Sequence, residues 1–190
     1  EMYATGKAGD FAYGQRFWRD EYRLNRKIFH YPKPVVSFLQ GFTMGGGVGV
    51  GCHGSHRIVG ETSQIAMPEV TIGLVPDVGG SLILARGPGH VGEYLGLSGA
   101  RMGPADAIYA SFGDIFIPED QWQVRKDQLI STGDVAVLDE NAVLPEAGIL
   151  APARSEIDAI FGAADVFAAL ATSETEFAAS ARKKIGRNAP

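Results

Sequence analysis

Residues 41–54 read GFTMGGGVGVGCHG, and seven of these fourteen residues are glycine. Glycine in the interior of a helix or strand destabilises it by roughly 0.5–1 kcal/mol relative to alanine, so this density indicates that another group approaches the backbone closely. The stretch follows VVSFL (35–39), a run of branched and aromatic residues that predicts a buried strand. After a turn at Gly41, the glycine triplet 45–47 would lie at a helix N-terminus, where the first backbone N–H groups have no intrahelical partner.

The glycine triplet has two interpretations. Bare amides at a helix N-terminus can bind a phosphate or an oxygen that becomes negatively charged during a reaction. Alternatively, the glycines only allow the helix to pack closely on a sheet. The segment is not a Walker A motif, which ends in GK[ST]. It also fits a dinucleotide fingerprint poorly, because the acidic residue about 20 positions further on, Glu69, follows Met67-Pro68 instead of a strand.

A second stretch, MPEVTIGLVPDVGG (67–80), carries two carboxylates eight positions apart, Glu69 and Asp77. Loop carboxylates are usually solvated. This loop is otherwise apolar and is bounded by prolines and glycines, so we expect partial burial and shifted pKa values. Two such groups can divide the work of general base or nucleophile and of general acid.

The rest of the chain predicts an α/β fold. Residues 13–29 have the apolar spacing of an amphipathic helix, which ends before the prolines of YPKP (31–34). Short strands are predicted at 56–59, 64–66 and 115–117, and short helices at 81–86, 90–97 and 104–110. In the alanine-rich C-terminal third, Ser155-x-x-Asp158 and Ser173-x-x-Glu176 predict the starts of two packing helices.

Composition narrows the class of protein. The net charge of −5 argues against nucleic acid as the main partner. The sequence contains no run of about 18 apolar residues, the length that would predict a membrane-spanning helix. No signal-peptide pattern is visible. The single cysteine, Cys52, excludes an internal disulfide, and its neighbour His53 is poorly placed as a catalytic base, since adjacent helical side chains point apart. We expect a soluble intracellular protein.

Two motifs carry a family resemblance. TMGGGVGV (43–50), followed by AMPEVTIGLVPDVGG (66–80), resembles the crotonase, or enoyl-CoA hydratase/isomerase, superfamily. RFWRDEYRLN (16–25), YPKPVV (31–36) and LSGARMGPADAIYA (97–110) are similar to its 3-hydroxyisobutyryl-CoA hydrolase branch. The resemblance implies a crotonase-like ββα spiral core over residues 1–118 and a helical region over 119–190. It also implies an acyl-CoA substrate, with coenzyme A as part of that substrate, no metal and no separate cofactor.

The resemblance also implies the site residues. Gly46 N–H would belong to the oxyanion hole, Glu69 and Asp77 would be catalytic, and the substrate would contact Glu21, Gly46, Glu69 and Asp77. Hydratases of this family carry a further glutamate two residues after the glycine triplet, where this chain has Gly49. Glu69 with Asp77 is instead the hydrolase-like pair.

Three functions stay open at this point. The first is hydrolysis of an acyl-CoA thioester, and the second is crotonase-type isomerisation or hydration. The third is a non-catalytic remnant that binds acyl-CoA or oligomerises. Relative to the family, we expect this chain to lack the opening strands and the segment that supplies the second oxyanion N–H. We also expect a homo-oligomer, located in the cytoplasm or, in a eukaryote, in the mitochondrial matrix.

Overall fold

Two small parallel sheets position the glycine-rich segment. The computed structural model describes residues 1–141 and 143–186. In the first sheet β3 (His56–Val59) lies between β1 (Val36–Leu39) and β5 (Ile115–Phe116); in the second, β2 (Phe42–Met44) pairs with β4 (Gln64–Ala66). The strands predicted at 56–59 and 64–66 are confirmed, and those predicted at 35–39 and 115–117 are each one residue too long. The first of these was expected to be buried, but only its last residue, Leu39, is buried.

The chain crosses from the first sheet to the second twice, through β1–β2 and through β3–β4. The crossings are tied together, because the Gln64 N–H donates to Gly41 O (2.7 Å) and Ser63 Oγ donates to Leu39 O (2.6 Å). Each crossing is followed by helical structure, which gives the expected ββα spiral. Since β2 and β4 are parallel and Met44 lies opposite Ala66, their carboxyl ends meet at one edge. The segments that follow them, 45–47 and 67–69, therefore lie side by side, at the end of a parallel sheet where ligands commonly bind.

The helices are named in chain order. They are α1 (Met2–Lys7), α2 (Ala12–Phe29), α3 (Gly46–Gly51), α4 (Gly80–Leu84), α5 (Val91–Ser98), α6 (Pro104–Tyr109), α7 (Trp122–Thr132), α8 (Leu150–Phe161), α9 (Val166–Thr172) and α10 (Glu176–Gly186). Short 3₁₀ helices are formed by Glu69–Ile72, Glu119–Gln121 and Val135–Asn141. The predicted bounds of α2, α4, α5 and α6 agree with these to within two residues, whereas β2, α7 and α9 were not predicted.

One hydrophobic core joins the glycine-rich segment to the C-terminal helices. Val48 of α3 and Leu95 of α5 belong to it together with Ile157 of α8. The Tyr94 ring packs against the rings of Phe161 and Phe177, with centroids 5.4 and 5.0 Å apart. Full burial of each such large apolar side chain contributes about 1.5–3 kcal/mol. The boundary expected at residue 118 stays a prediction, and residues 187–190 of that region lie outside the described residues.

One of the two predicted C-terminal helix starts is wrong. Helix α8 begins at Leu150, not near Ser155, because the Asp106 carboxylate accepts the Leu150 N–H at 2.9 Å. Asp158 instead binds the Arg154 guanidinium and accepts the His90 N–H. The other signal falls where a helix does begin, at Glu176, although the cap is Thr175 Oγ1, which accepts the Ala178 N–H at 3.2 Å.

Helix α2 packs a polar face against α3. Its apolar side chains Phe17 and Leu24 are 45% and 46% exposed, whereas Asn25 is 4% exposed. Glu21 lies one turn before Asn25 on the same face of the helix. Polar side chains of α2 are therefore directed toward the glycine-rich helix α3, where they can contribute to a functional site.

Candidate active site

Helix α3 presents bare amides at its start. Gly45 leaves β2 with φ +52°, and the N–H groups of Val48 and Gly49 both reach Gly45 O, at 2.9 and 3.2 Å. The N–H groups of Gly46 and Gly47 precede these first helical donors, so they have no acceptor within the helix. Both glycines are exposed. An electronegative oxygen can therefore approach these amides from solvent.

Glu69 is a buried carboxylate beside that helix start. It follows β4 in the 3₁₀ segment Glu69–Ile72 and is 5% exposed. Its Oε1 lies 3.4 Å from the position that a Cβ would take on Gly45, and its Oε2 has no hydrogen-bond partner among the described residues. Burial raises the pKa of Glu69, and the charge of Asp77 raises it further, while its own backbone N–H opposes the rise. The expected partial burial of this carboxylate is confirmed.

Asp77 is half-buried and is held by a tyrosine that sequence reasoning did not select. Tyr22 Oη donates to Asp77 Oδ2 at 2.8 Å. Burial, followed by this hydrogen bond, raises the pKa of Tyr22 to about 12. Tyr22 therefore stays protonated at neutral pH and serves as a fixed donor to the Asp77 carboxylate.

Glu21 completes the group of carboxylates. Its Oε1 lies 2.9 Å from the position that a Cβ would take on Gly46. Burial, and then the charge of Asp77, raise the pKa of Glu21. The four residues implied by the family resemblance are therefore brought together around the start of α3: Glu21, Gly46, Glu69 and Asp77.

Position 49 has no room for a side chain. A Cβ on Gly49 would lie 2.7 Å from Asn25 Nδ2 and 2.8 Å from Val78 Cβ. At Gly51 a Cβ would lie 2.6 Å from Leu39 Cδ2. The close-packing interpretation is therefore confirmed at Gly49 and Gly51. Gly46 lies beside the Glu21 carboxylate and next to free amides, and anion binding at the triplet stays a prediction.

We expect Gly49→Ala to lower the free energy of unfolding by about 1–3 kcal/mol, because an added methyl group in a filled interior forces its neighbours to move. Gly47→Ala is the matched control, since its Cβ would meet only Thr43 Cγ2, at an ordinary 3.8 Å. Urea denaturation of both variants measures the difference. Equal stability of the two would contradict the packing described at position 49.

The remaining polar candidates have other roles. Cys52 is buried, and burial raises the pKa of its thiol to about 12, so it is not poised as a thiolate nucleophile. His53 Nε2 hydrogen-bonds to Val78 O at 2.7 Å. Among residues 1–141 and 143–186 no group of three or more His, Cys, Asp or Glu side chains could hold a metal ion. In the same part of the chain, no helix has the length and apolar character needed to cross a bilayer.

Comparison with known proteins identifies the family of the chain. The sequence profile described as enoyl-CoA hydratase/isomerase matches residues 1–190. The chain is 37% identical, over 95% of its length, to half of the 3-hydroxyisobutyryl-CoA hydrolase, mitochondrial, of Xenopus tropicalis. It is 44% identical, over 58% of its length, to 29% of the 3-hydroxyisobutyryl-CoA hydrolase 1 of Arabidopsis thaliana.

Solved structures support the same family assignment. An enoyl-CoA hydratase from Rhodobacter sphaeroides superposes with a TM-score of 0.82 and 52% identity, covering 97% of this chain and 54% of that one. A carnitinyl-CoA dehydratase from Mycobacterium thermoresistibile gives a TM-score of 0.92 and 44% identity, covering 98% and 55%. The chain spans about half the length of the relatives that it covers most fully. With the profile matched throughout and the expected fold observed, the chain belongs to the enoyl-CoA hydratase/isomerase family, the crotonase superfamily.

Proposed function

We propose that this chain carries the site of an acyl-CoA thioester hydrolase that converts 3-hydroxyisobutyryl-CoA to 3-hydroxyisobutyrate and coenzyme A, a step of valine catabolism. One observation carries the proposal: buried Glu69 lies beside the start of α3 and feels the charge of Tyr22-bound Asp77, while position 49 has no room for a second hydratase glutamate. The names of the relatives from Xenopus and Arabidopsis support the hydrolase class. Assembly into a homo-oligomer and a cytoplasmic or mitochondrial-matrix location stay predictions.

The proposed chemistry begins at the thioester carbonyl. Gly46 N–H donates to the carbonyl oxygen and stabilises the negative charge that forms on it. Glu69 then acts in one of two ways. As a general base it removes a proton from the water whose oxygen attacks the carbonyl carbon; as a nucleophile it attacks that carbon itself, and water hydrolyses the resulting anhydride. In both routes the C–S bond breaks, coenzyme A leaves as the thiol after gaining a proton, and the acyl group becomes a carboxylic acid.

The other two carboxylates would orient the acyl group and move the proton. Asp77, fixed by Tyr22, would bind the acyl hydroxyl or pass the proton to the leaving sulfur. Glu21 would contact the polar end of the acyl group beside Gly46. The proposal needs no metal ion and no cofactor, because coenzyme A is part of the substrate.

A second candidate function is isomerisation or hydration of an enoyl-CoA. It is favoured by the names of the structural neighbours, an enoyl-CoA hydratase and a carnitinyl-CoA dehydratase at 52% and 44% identity. Glu69 or Asp77 would then be the base that moves a proton on the acyl chain. The lack of space at position 49 argues against two-glutamate hydration specifically.

Product analysis with three substrates separates these functions. This chain, and a longer protein that contains it, are incubated with 3-hydroxyisobutyryl-CoA, crotonyl-CoA and a 3-enoyl-CoA. Saturable release of free thiol from the first substrate alone supports the hydrolase. Loss of the enoyl absorbance, or a shifted double bond, without thiol supports the second candidate, and calorimetric binding without turnover supports a non-catalytic role.

The raised pKa of Glu69 predicts the pH dependence of thiol release. Glu69 must be ionised to act as base or nucleophile, so the rate should rise with pH through a midpoint above the ordinary glutamate value of about 4.3. The charge of Asp77 contributes to the raised pKa, so Asp77→Asn should move the titration of the Glu69 carboxyl to lower pH. Carbon-13 NMR of the labelled carboxyl measures this even if the variant is slow. An unchanged midpoint in Asp77→Asn would show that the two carboxylates are not coupled.

A further inference from the structure

The backbone that carries Asp77 is strained at the next residue. Val78 has φ +46°, in the left-handed region, and Gly79 follows with φ +76°. For a β-branched residue this conformation is a genuine outlier, so it persists only where the surroundings fix it. The Val78 side chain is 2% exposed and packs against Gly49. The conformation of residues 77–79 must therefore be stabilised by contacts with neighbouring residues.

His53 is placed to hold this segment. Its ring is buried, at 7% exposure, and its Nε2 lies 2.7 Å from Val78 O. Because a carbonyl oxygen only accepts, this nitrogen carries the proton. A Cβ on Gly79 would lie 2.6 Å from the same Nε2, so the ring also fits closely against the following residue. Phe29 packs edge-on against the ring, with centroids 6.1 Å apart.

The position of His53 links two parts of the site. It lies two residues after α3, whose first residue is Gly46. Asp77 is therefore fixed from two sides: Tyr22 binds its carboxylate, and His53 fixes the backbone one residue further along. A further hydrogen bond, from the Gly80 N–H to Asp77 O at 2.6 Å, closes the turn.

We propose that His53 is a positioning residue that holds the Asp77 carboxylate in place by fixing Val78 in its left-handed conformation. That His53 fixes the backbone at Val78 follows from the geometry alone, whereas its effect on turnover rests on the proposed function. A misplacement of about 1 Å in a catalytic arrangement can reduce the rate on the order of 10²-fold. Loss of the His53 hydrogen bond should therefore lower the turnover rate, because the Asp77 carboxylate would be misplaced.

The variants separate the hydrogen bond from simple loss of a side chain. His53→Met removes the donor, whereas His53→Gln keeps an N–H donor at a similar distance from the backbone. His30→Met removes an exposed histidine and is the control. Amide hydrogen exchange on this chain needs no enzymatic activity. In His53→Met the Gly80 amide should exchange about 10-fold faster, because its turn opens locally, while the Ile65 amide, which bonds to Met102 O in the core, should not change.

Thiol release provides the second measurement. His53→Met should lower kcat by roughly 10- to 100-fold with little change in KM, and His53→Gln should restore most of it. In an Asp77→Asn background, His53→Met should have almost no further effect, because both changes act through one carboxylate. The inference would be overturned if the loss of kcat in the double variant equalled the product of the two single losses. It would also be overturned if the Gly80 amide exchanged at the same rate in all variants. If even the unchanged protein releases no thiol, the proposed function fails, and the exchange data still decide the role of His53.

Discussion

Glu69→Gln should abolish thiol release from 3-hydroxyisobutyryl-CoA, with a loss on the order of 10³-fold or more, since removal of a general base or nucleophile commonly has effects of this size. The replacement has nearly the same shape, but its amide can neither accept the proton of water nor attack a carbonyl. Single-turnover measurement of free thiol gives the rate constant. Glu93→Gln, at a carboxylate on α5 with 51% side-chain exposure, is the matched control and should keep full activity.

The same variant should fold at least as stably as the unchanged chain. Native Glu69 has a raised pKa, so it binds a proton more tightly in the folded than in the unfolded chain. Its contribution to the free energy of unfolding is therefore fully favourable below the unfolded-state pKa and is lost as pH rises through the folded-state pKa. Glutamine removes this dependence, so at pH 7 its thermal midpoint should not fall. An active Glu69→Gln variant would remove Glu69 from the mechanism, whereas a lower thermal midpoint at pH 7 would contradict the stability expected from the raised pKa of Glu69.

Strands β1, β3, β4 and β5 were predictable because their signals are local, whereas β2, which forms the edge of the site together with β4, was not predicted. The run at 35–39 has the branched and aromatic residues of a buried strand, and β3 and β4 were predicted to the residue. Two glycine-containing stretches follow β2 and β4. Once those strands pair in parallel, the stretches must meet, which places Gly46 beside Glu69. The roles of these residues came from the family resemblance, since no spacing distinguishes a buried loop glutamate from a solvated one.

Contacts between distant parts of the chain were not predictable. Tyr22 and Asp77 are 55 residues apart, and Asp106 reaches Leu150 over 44 residues. A tyrosine among charged residues has the same local pattern whether its hydroxyl faces solvent or a carboxylate. For the same reason Ser155 suggested a helix start that the Asp106 carboxylate places at Leu150. Long-range hydrogen bonds thus set the details that local patterns leave open.

Gly46→Pro should lower thiol release by about 10²–10³-fold, because it removes the N–H that we assign to the oxyanion hole. Proline is tolerated at the first position of a helix, which Gly46 occupies in α3, so the helix should persist. Proline also adds a Cβ, which would lie 2.9 Å from Glu21 Oε1. Gly46→Ala is therefore the necessary control, since it adds the same Cβ and keeps the N–H.

The ratio of kcat between the alanine and proline variants isolates the amide. If Gly46→Ala loses a few-fold and Gly46→Pro much more, the N–H stabilises the transition state, and the loss should appear in kcat and kcat/KM alike. If the two variants lose equally, the sensitive feature is the contact with Glu21 and not the amide. A pair as active as the unchanged chain would remove the start of α3 from the reaction, and the exposed amides of Gly46 and Gly47 would then only mark a closely packed helix end.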